Sequence, residues 1–255
     1  MIGSWRASII LEERNKVSSP GQDYNELLFR KPKKNLIETC NARNYGSTHK
    51  LVRWTSWKPN TPFAPFIDVP FWIDSIPIDF CETILTDIKS IENNLTDWKK
   101  YNIFSWSDKF VFVHKLLLLI KSSLYQYAGE LQYELPEKIW IRGWMNIMNE
   151  GDILPVHSHS FHENSFISGN LLLTNSEVST EYILPNYSTY YGNYLSKSRT
   201  GSLILFPSWV EHFVPEVKKK RYCLAFDFYT NESMEYLKQN ATVFDPMMLS
   251  TELDL

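Results

Sequence analysis

From residue 138 onward the chain is cut into short runs of β-branched and aromatic residues separated by Gly, Asn, Asp and Pro, and this texture constrains the fold most. The runs are Trp140 to Met148, Ser165 to Leu173, Glu181 to Leu184, Ser202 to Phe206, His212 to Pro215 and Arg221 to Tyr229. Strands so short and so closely spaced make a sandwich or a barrel rather than the parallel sheet of alternating βαβ units. Two helical patterns precede them. Asp79 to Ile91 sets Phe80, Ile84, Leu85 and Ile88 at helical spacing, with Asp79 as the expected cap. Asp108 to Tyr127 puts Phe112, Val113, Leu116, Leu117, Ile120, Leu124 and Tyr127 on one broad apolar stripe, as in a helix packed on a larger body. Phe66 to Ile76 carries an aromatic cluster with no element assigned. Helices first and strands afterwards predict an α+β fold, helices packed on a jelly-roll core.

A chain of 255 residues fits one domain with an extension. Residues 1–65 are polar and show neither helical nor strand periodicity, so they are expected to be an N-terminal extension of arm and loops, with 66–255 as the domain. The net charge of −3 gives no field toward phosphate backbones, and the basic run Lys218 to Arg221 is short, which disfavours nucleic acid as a partner. Cys40, Cys81 and Cys223 are odd in number and widely spaced, as expected of free thiols in the cytoplasm. Met1 to Leu11 has no signal pattern, and the longest apolar stretch, Val111 to Ile120, is broken by His114 and Lys115, so no membrane anchor is expected. No Gly-rich phosphate loop or GxSxG elbow is present, which removes nucleotide-dependent and serine-hydrolase chemistry.

The chemistry sits on histidines. On a strand, His157 and His159 point to one face because side chains alternate, so two imidazoles can reach one metal ion. His212, at the start of a later strand, lies far enough downstream for the chain to wind back beside them. Three ligands on one side leave the opposite coordination positions open, the arrangement an oxygen-activating iron needs. The bland alternative is a pair of surface histidines without a metal. His114 is expected on a helix face, and His49 has no ligand-type partner at useful spacing.

Around these histidines stand Trp144-Met-Asn-Ile-Met-Asn-Glu-Gly-Asp152, Ser168-Gly169, and Gly201-Ser-Leu-Ile-Leu-Phe-Pro-Ser-Trp-Val-Glu-His212-Phe-Val-Pro215, with Arg221 after them. That combination resembles the 2-oxoglutarate and Fe(II)-dependent oxygenases of the prolyl-hydroxylase-like superfamily, over roughly residues 100–230. The resemblance implies a double-stranded β-helix of the jelly-roll or cupin-like kind, with His157 and His212 as iron ligands. It implies that Arg221 pairs with the distal carboxylate of 2-oxoglutarate, a task suited to a planar guanidinium that stays charged when buried. Asn146 and Ser168 are further candidates for hydrogen bonds to the cosubstrate.

Most of that superfamily has a carboxylate two residues after the first histidine, where this chain has His159. His159, Glu163 or a water could fill the third position, and strand spacing favours His159. His162 and Glu163 are candidates for a substrate-pocket rim, with an exposed loop pair as the alternative. Tyr182, Tyr187, Tyr190, Tyr191 and Tyr194 could form a substrate mouth or a packed hairpin. The resemblance implies an Fe(II), 2-oxoglutarate and O₂-dependent hydroxylase acting on a small molecule, an amino acid or a peptide side chain, and is compatible with a homodimer. The competing functions are a cupin-type three-histidine dioxygenase without 2-oxoglutarate and a catalytically inactive jelly-roll binding module.

Overall fold

The computed structural model describes residues 50–55, 61, 63, 68–159, 163–184, 194–240 and 250–254. Its order is β1 (Lys50–Thr55), β2 (Asp68–Ser75), α1 (Ile78–Ser90), three 3₁₀ turns (Glu92–Asn94, Trp98–Lys100, Ile103–Trp106), α2 (Val111–Glu130), β3 (Lys138–Met148), β4 (Leu154–His157) and β5 (Ile167–Leu172). There follow β6 (Glu181–Tyr182), β7 (Tyr194–Leu195), β8 (Ser202–Pro207), β9 (His212–Val214), β10 (Arg221–Tyr229), α3 (Asn231–Asn240) and β11 (Thr251–Asp254). The α+β class matches expectation, and α1 and α2 precede the strands from β3 onward as expected, but β1 and β2 come before these helices and α3 follows β10.

The strands form a seven-stranded sheet, β1-β2-β8-β5-β10-β3-β11, and a four-stranded sheet, β4-β9-β6-β7. Every pairing among the described residues is antiparallel. Side-chain alternation sorts the large sheet's two faces. Trp72, Leu203, Leu205, Leu224 and Phe226 join the apolar cluster under α1 and α2, whereas Phe71, Ile73, Ile204 and Phe206 join Tyr182 and Tyr194 of the small sheet. With helices on one face and a second sheet on the other, all nine residues of β10 are buried.

Three sequence expectations change. Lys50–Thr55, expected within the arm and loops of 1–65, is an edge strand: it pairs with β2 along its whole length and buries Val52. One six-residue run flanked by polar sequence gives too little periodicity to be seen. The start of α1 is capped by Pro77, with Asp79 in the first turn instead. Proline suits that place, since its φ is preset and the missing N–H would have no partner in the helix. The strand carrying His157 ends at that residue, so His159 lies just past β4.

Gly143 and Gly169 pair with Phe226 from its two sides. A Cβ on Gly169 would lie 2.4 Å from the Phe226 ring, and one on Gly143 would lie 2.5 Å from the ring of Phe104, which meets Phe226 edge to face. The two glycines therefore make room for the aromatic layer between sheet and helices. Replacing Gly169 by Ala is expected to cost about 1–3 kcal/mol through overpacking, readable as a lower midpoint in urea unfolding with an unchanged slope.

Among the described residues no helix is long and apolar enough to cross a membrane. Cys81 and Cys223 are buried free thiols, and Cys40 lies outside the described residues.

Candidate metal centre

Antiparallel register brings the histidines together. β4 pairs with β9 so that His157 stands opposite His212, and β6 sets Tyr182 opposite His212 from the other side. His159 is fastened nearby by its backbone N–H, which donates to the Ser208 carbonyl at 3.0 Å. Ring centroids are 4.3 Å apart for His157 and His212, 5.1 Å for His159 and His212, and 5.5 Å for His157 and His159. One ligand atom from each of the three lies within 4.8 Å of the other two.

Hydrogen bonding gives all three rings the same polarity. Nδ1 of His157 bonds the Pro155 carbonyl at 2.8 Å, Nδ1 of His212 bonds the Val210 carbonyl at 3.0 Å, and Nδ1 of His159 bonds the Asp227 carboxylate. A carbonyl or carboxylate oxygen only accepts, so each Nδ1 carries the proton and each Nε2 keeps its lone pair, the form in which imidazole binds a metal. Burial holds His157 below its usual range, and burial, with the two neighbouring imidazoles adding to it, holds His212 well below. Both are therefore neutral donors at pH 7.

Asp227 had not been singled out from the sequence. It is ionised: burial pushes its carboxyl up, but the electrostatic interaction with His159 and hydrogen bonds from His159, Ser168 and Tyr229 outweigh burial and hold it below the usual range. Ser168 donates to it at 2.6 Å and Tyr229 at 3.1 Å. Even spacing from Arg221 along β10 was the available signal, since residues two, four and six apart share a face.

Arg221 is 2% exposed on the same inner face. Nη2 donates to Thr180 Oγ1 at 2.9 Å, Nη1 lies 3.9 Å from Met148 Sδ, and Nε has no partner. No carboxylate pairs with it among the described residues. A buried cation without an anion is costly and marks a place built for one. Cys223 and Ala225, small residues between Arg221 and Asp227, line a narrow cavity together with Asn146, Thr180, His159 and His212. An adjoining cleft of about 470 Å³ shares Asn146 and Leu154 with that cavity.

Residues 142–227, less than half of the chain, match the family model described as "Putative 2OG-Fe(II) oxygenase". The segment carrying this centre is similar in sequence to that family. His157, His159, His212, Arg221 and Asp227 all fall within the matched residues. No curated protein matches the sequence. Among solved structures, the chain is similar to a Pseudomonas putida prolyl-4-hydroxylase (14% identity, 63% of this chain and 88% of that one, TM-score 0.49). It is also similar to HygX from Streptomyces hygroscopicus with nickel and 2-oxoglutarate bound (11% identity, 63% and 82% coverage, TM-score 0.46). A third is AviO1 from Streptomyces viridochromogenes Tue57 (10% identity, 64% and 90% coverage, TM-score 0.47). The family assignment rests on the sequence match.

The remaining candidates divide. Asn146 lines the narrow cavity beside the histidines, whereas the Ser168 hydroxyl is engaged by Asp227 and His159. Glu163 is exposed in a turn and outside the histidine cluster. His114 is exposed on α2, as expected. Tyr182 and Tyr194 are buried against Phe71, so they pack the small sheet and do not form a mouth. His49, His162, Tyr187, Tyr190 and Tyr191 lie outside the described residues.

Proposed function

We propose that the protein is a non-haem Fe(II) and 2-oxoglutarate-dependent dioxygenase that hydroxylates a small molecule, an amino acid or a peptide side chain. One observation carries this: one ligand nitrogen from each of three imidazoles lies within 4.8 Å of the other two, each ring has its Nδ1 bonded to an oxygen, and a buried guanidinium with no anion among the described residues stands on the same inner face. The residues fit the group. His157, His159 and His212 would hold the iron from one side, and Arg221 with Thr180 would hold the distal carboxylate of 2-oxoglutarate. Asn146, on the cavity wall, would hydrogen-bond the same cosubstrate.

When bound, Fe(II) with 2-oxoglutarate and O₂ supplies oxidative decarboxylation coupled to insertion of oxygen into a C–H bond. The chain's part is position and exclusion of water. Arg221 fixes one end of the cosubstrate, Cys223 and Ala225 leave room for its carbon chain, and Leu154, Phe206 and Val214 wall the cavity with apolar surface. The adjoining cleft at Asn146 and Leu154 is the side from which substrate reaches the centre. The two sheets correspond, in this proposal, to the halves of a double-stranded β-helix within 66–255, to which the extension 1–65 adds β1 at the edge of the larger sheet. The buried free thiols Cys81 and Cys223 suit the cytoplasm.

An all-histidine centre also suits a three-histidine dioxygenase without 2-oxoglutarate, but such an enzyme has no use for the orphan guanidinium at Arg221. Anaerobic titration of the Fe(II)-loaded protein with 2-oxoglutarate tests the choice. The expected result is a weak visible charge-transfer band and, on admitting air, stoichiometric succinate. Neither band nor succinate would overturn the proposal.

A further inference from the structure

We infer that Asp227 is a positioning residue for the metal: its carboxylate fixes the Nδ1–H tautomer and the ring plane of His159, aiming Nε2 at the centre and strengthening it as a donor. The inference rests on the proposed metal site and goes beyond it, since it explains how a histidine can stand where related centres carry a carboxylate.

The three histidines are supported unequally. His157 and His212 lean on backbone carbonyls two residues away, so local chain geometry sets their tautomers. His159 lies past the end of β4 and leans instead on a side chain 68 positions further along the chain. That side chain is itself held on several sides. Ser168 Oγ and Tyr229 Oη donate to its two oxygens, one each, and β10 is hydrogen-bonded to strands on both sides. Arg142 lies near enough to act on Asp227, its guanidinium stacked 5.2 Å from the Trp98 ring and 5.3 Å from the Trp144 ring and donating to the Trp98 carbonyl at 2.6 Å. Trp144 in turn packs 5.5 Å from the His159 ring. A carboxylate accepting from a ligand's Nδ1–H orients the ring and raises its basicity, and losing it typically costs about 10–100-fold in metal affinity. Arg142 offsets part of the carboxylate's charge at longer range, so the direct hydrogen bond to His159 is the part that acts on the metal.

Co(II) titration of the full-length protein, followed by its visible spectrum, tests this without turnover. Asp227→Asn is expected to weaken Co(II) binding about 10–100-fold, and Ser168→Ala, a milder loss of one support, several-fold. In His159→Asp, position 227 would face a second carboxylate, so adding Asp227→Asn there is expected to strengthen Co(II) binding. A residue needed only for folding would act with the same sign in both backgrounds. Long-range ¹H–¹⁵N spectra of the metal-free protein give a second readout, with His159 expected to carry its proton on Nδ1 and to lose that preference in Asp227→Asn. Unchanged affinity in Asp227→Asn, the same sign in both backgrounds, or His159 unprotonated at Nδ1 would overturn the inference while leaving the metal site intact. Failure of the wild-type protein to bind Co(II) would overturn the site itself.

Discussion

Replacing Arg221 by Met should move two measurements in opposite directions. The metal-free protein is expected to gain about 1–4 kcal/mol of stability, because a buried cation with an unpartnered Nε gives way to an apolar side chain of similar reach beside Met148. Binding of 2-oxoglutarate is expected to weaken by two to three orders of magnitude, the usual loss when one partner of a buried, hydrogen-bonded charge pair is removed, about 2–5 kcal/mol. Denaturant unfolding and isothermal titration of the Fe(II)-loaded variant read the two effects separately. Unaltered 2-oxoglutarate affinity would leave the guanidinium without its proposed task and would favour a three-histidine dioxygenase that uses no such cosubstrate.

Replacing His212 by Ala should abolish metal binding, an effect larger than the roughly 10–100-fold expected from losing a residue behind a ligand. His212 stands opposite His157 in register and is 5% exposed, so no described neighbour can take its place. The cavity left between Phe206 and Tyr182 adds a folding cost of about 1–3 kcal/mol, which lowers the melting temperature whether or not metal is present. The informative quantity is therefore the rise in melting temperature on adding Fe(II) anaerobically: present in the wild-type protein and absent in the variant. His114→Ala, on the exposed face of α2, should leave that rise unchanged. An undiminished rise in His212→Ala would remove the centre from this place in the fold.

The sequence reached far where one periodicity dominates. The apolar stripe of α2 declared itself because it puts a single face against the core, and the β segments after residue 138 because they are short runs of β-branched and aromatic residues bounded by turn residues. β2 did not. In Asp-Val-Pro-Phe-Trp-Ile-Asp-Ser, Phe71 and Ile73 face the small sheet while Trp72 faces the helices, and a strand buried on both sides loses its alternation. The site divided along the same line. Spacing brought His157, His159 and His212 forward, because metal-ligating residue types are rare enough to stand out, and the family resemblance added Arg221. Asp227 and Thr180 are common residue types whose importance comes from what the fold sets beside them. For Tyr182 and Tyr194 the sequence left a substrate mouth and a packed hairpin open, and those two rings fill the small sheet's core.

β10 carries the proposed cosubstrate anchor, Arg221, at one end of its inner face and the support of His159, Asp227, six residues away on that same face. The span between them is therefore a ruler cut by the strand repeat, about 3.4 Å per residue, and pinned by neighbouring strands on both sides. Side-chain adjustment cannot lengthen it. On the proposed function, discrimination among dicarboxylates of different length would belong to the backbone of one strand, and shifting it would take a change in the number of residues rather than in their kind.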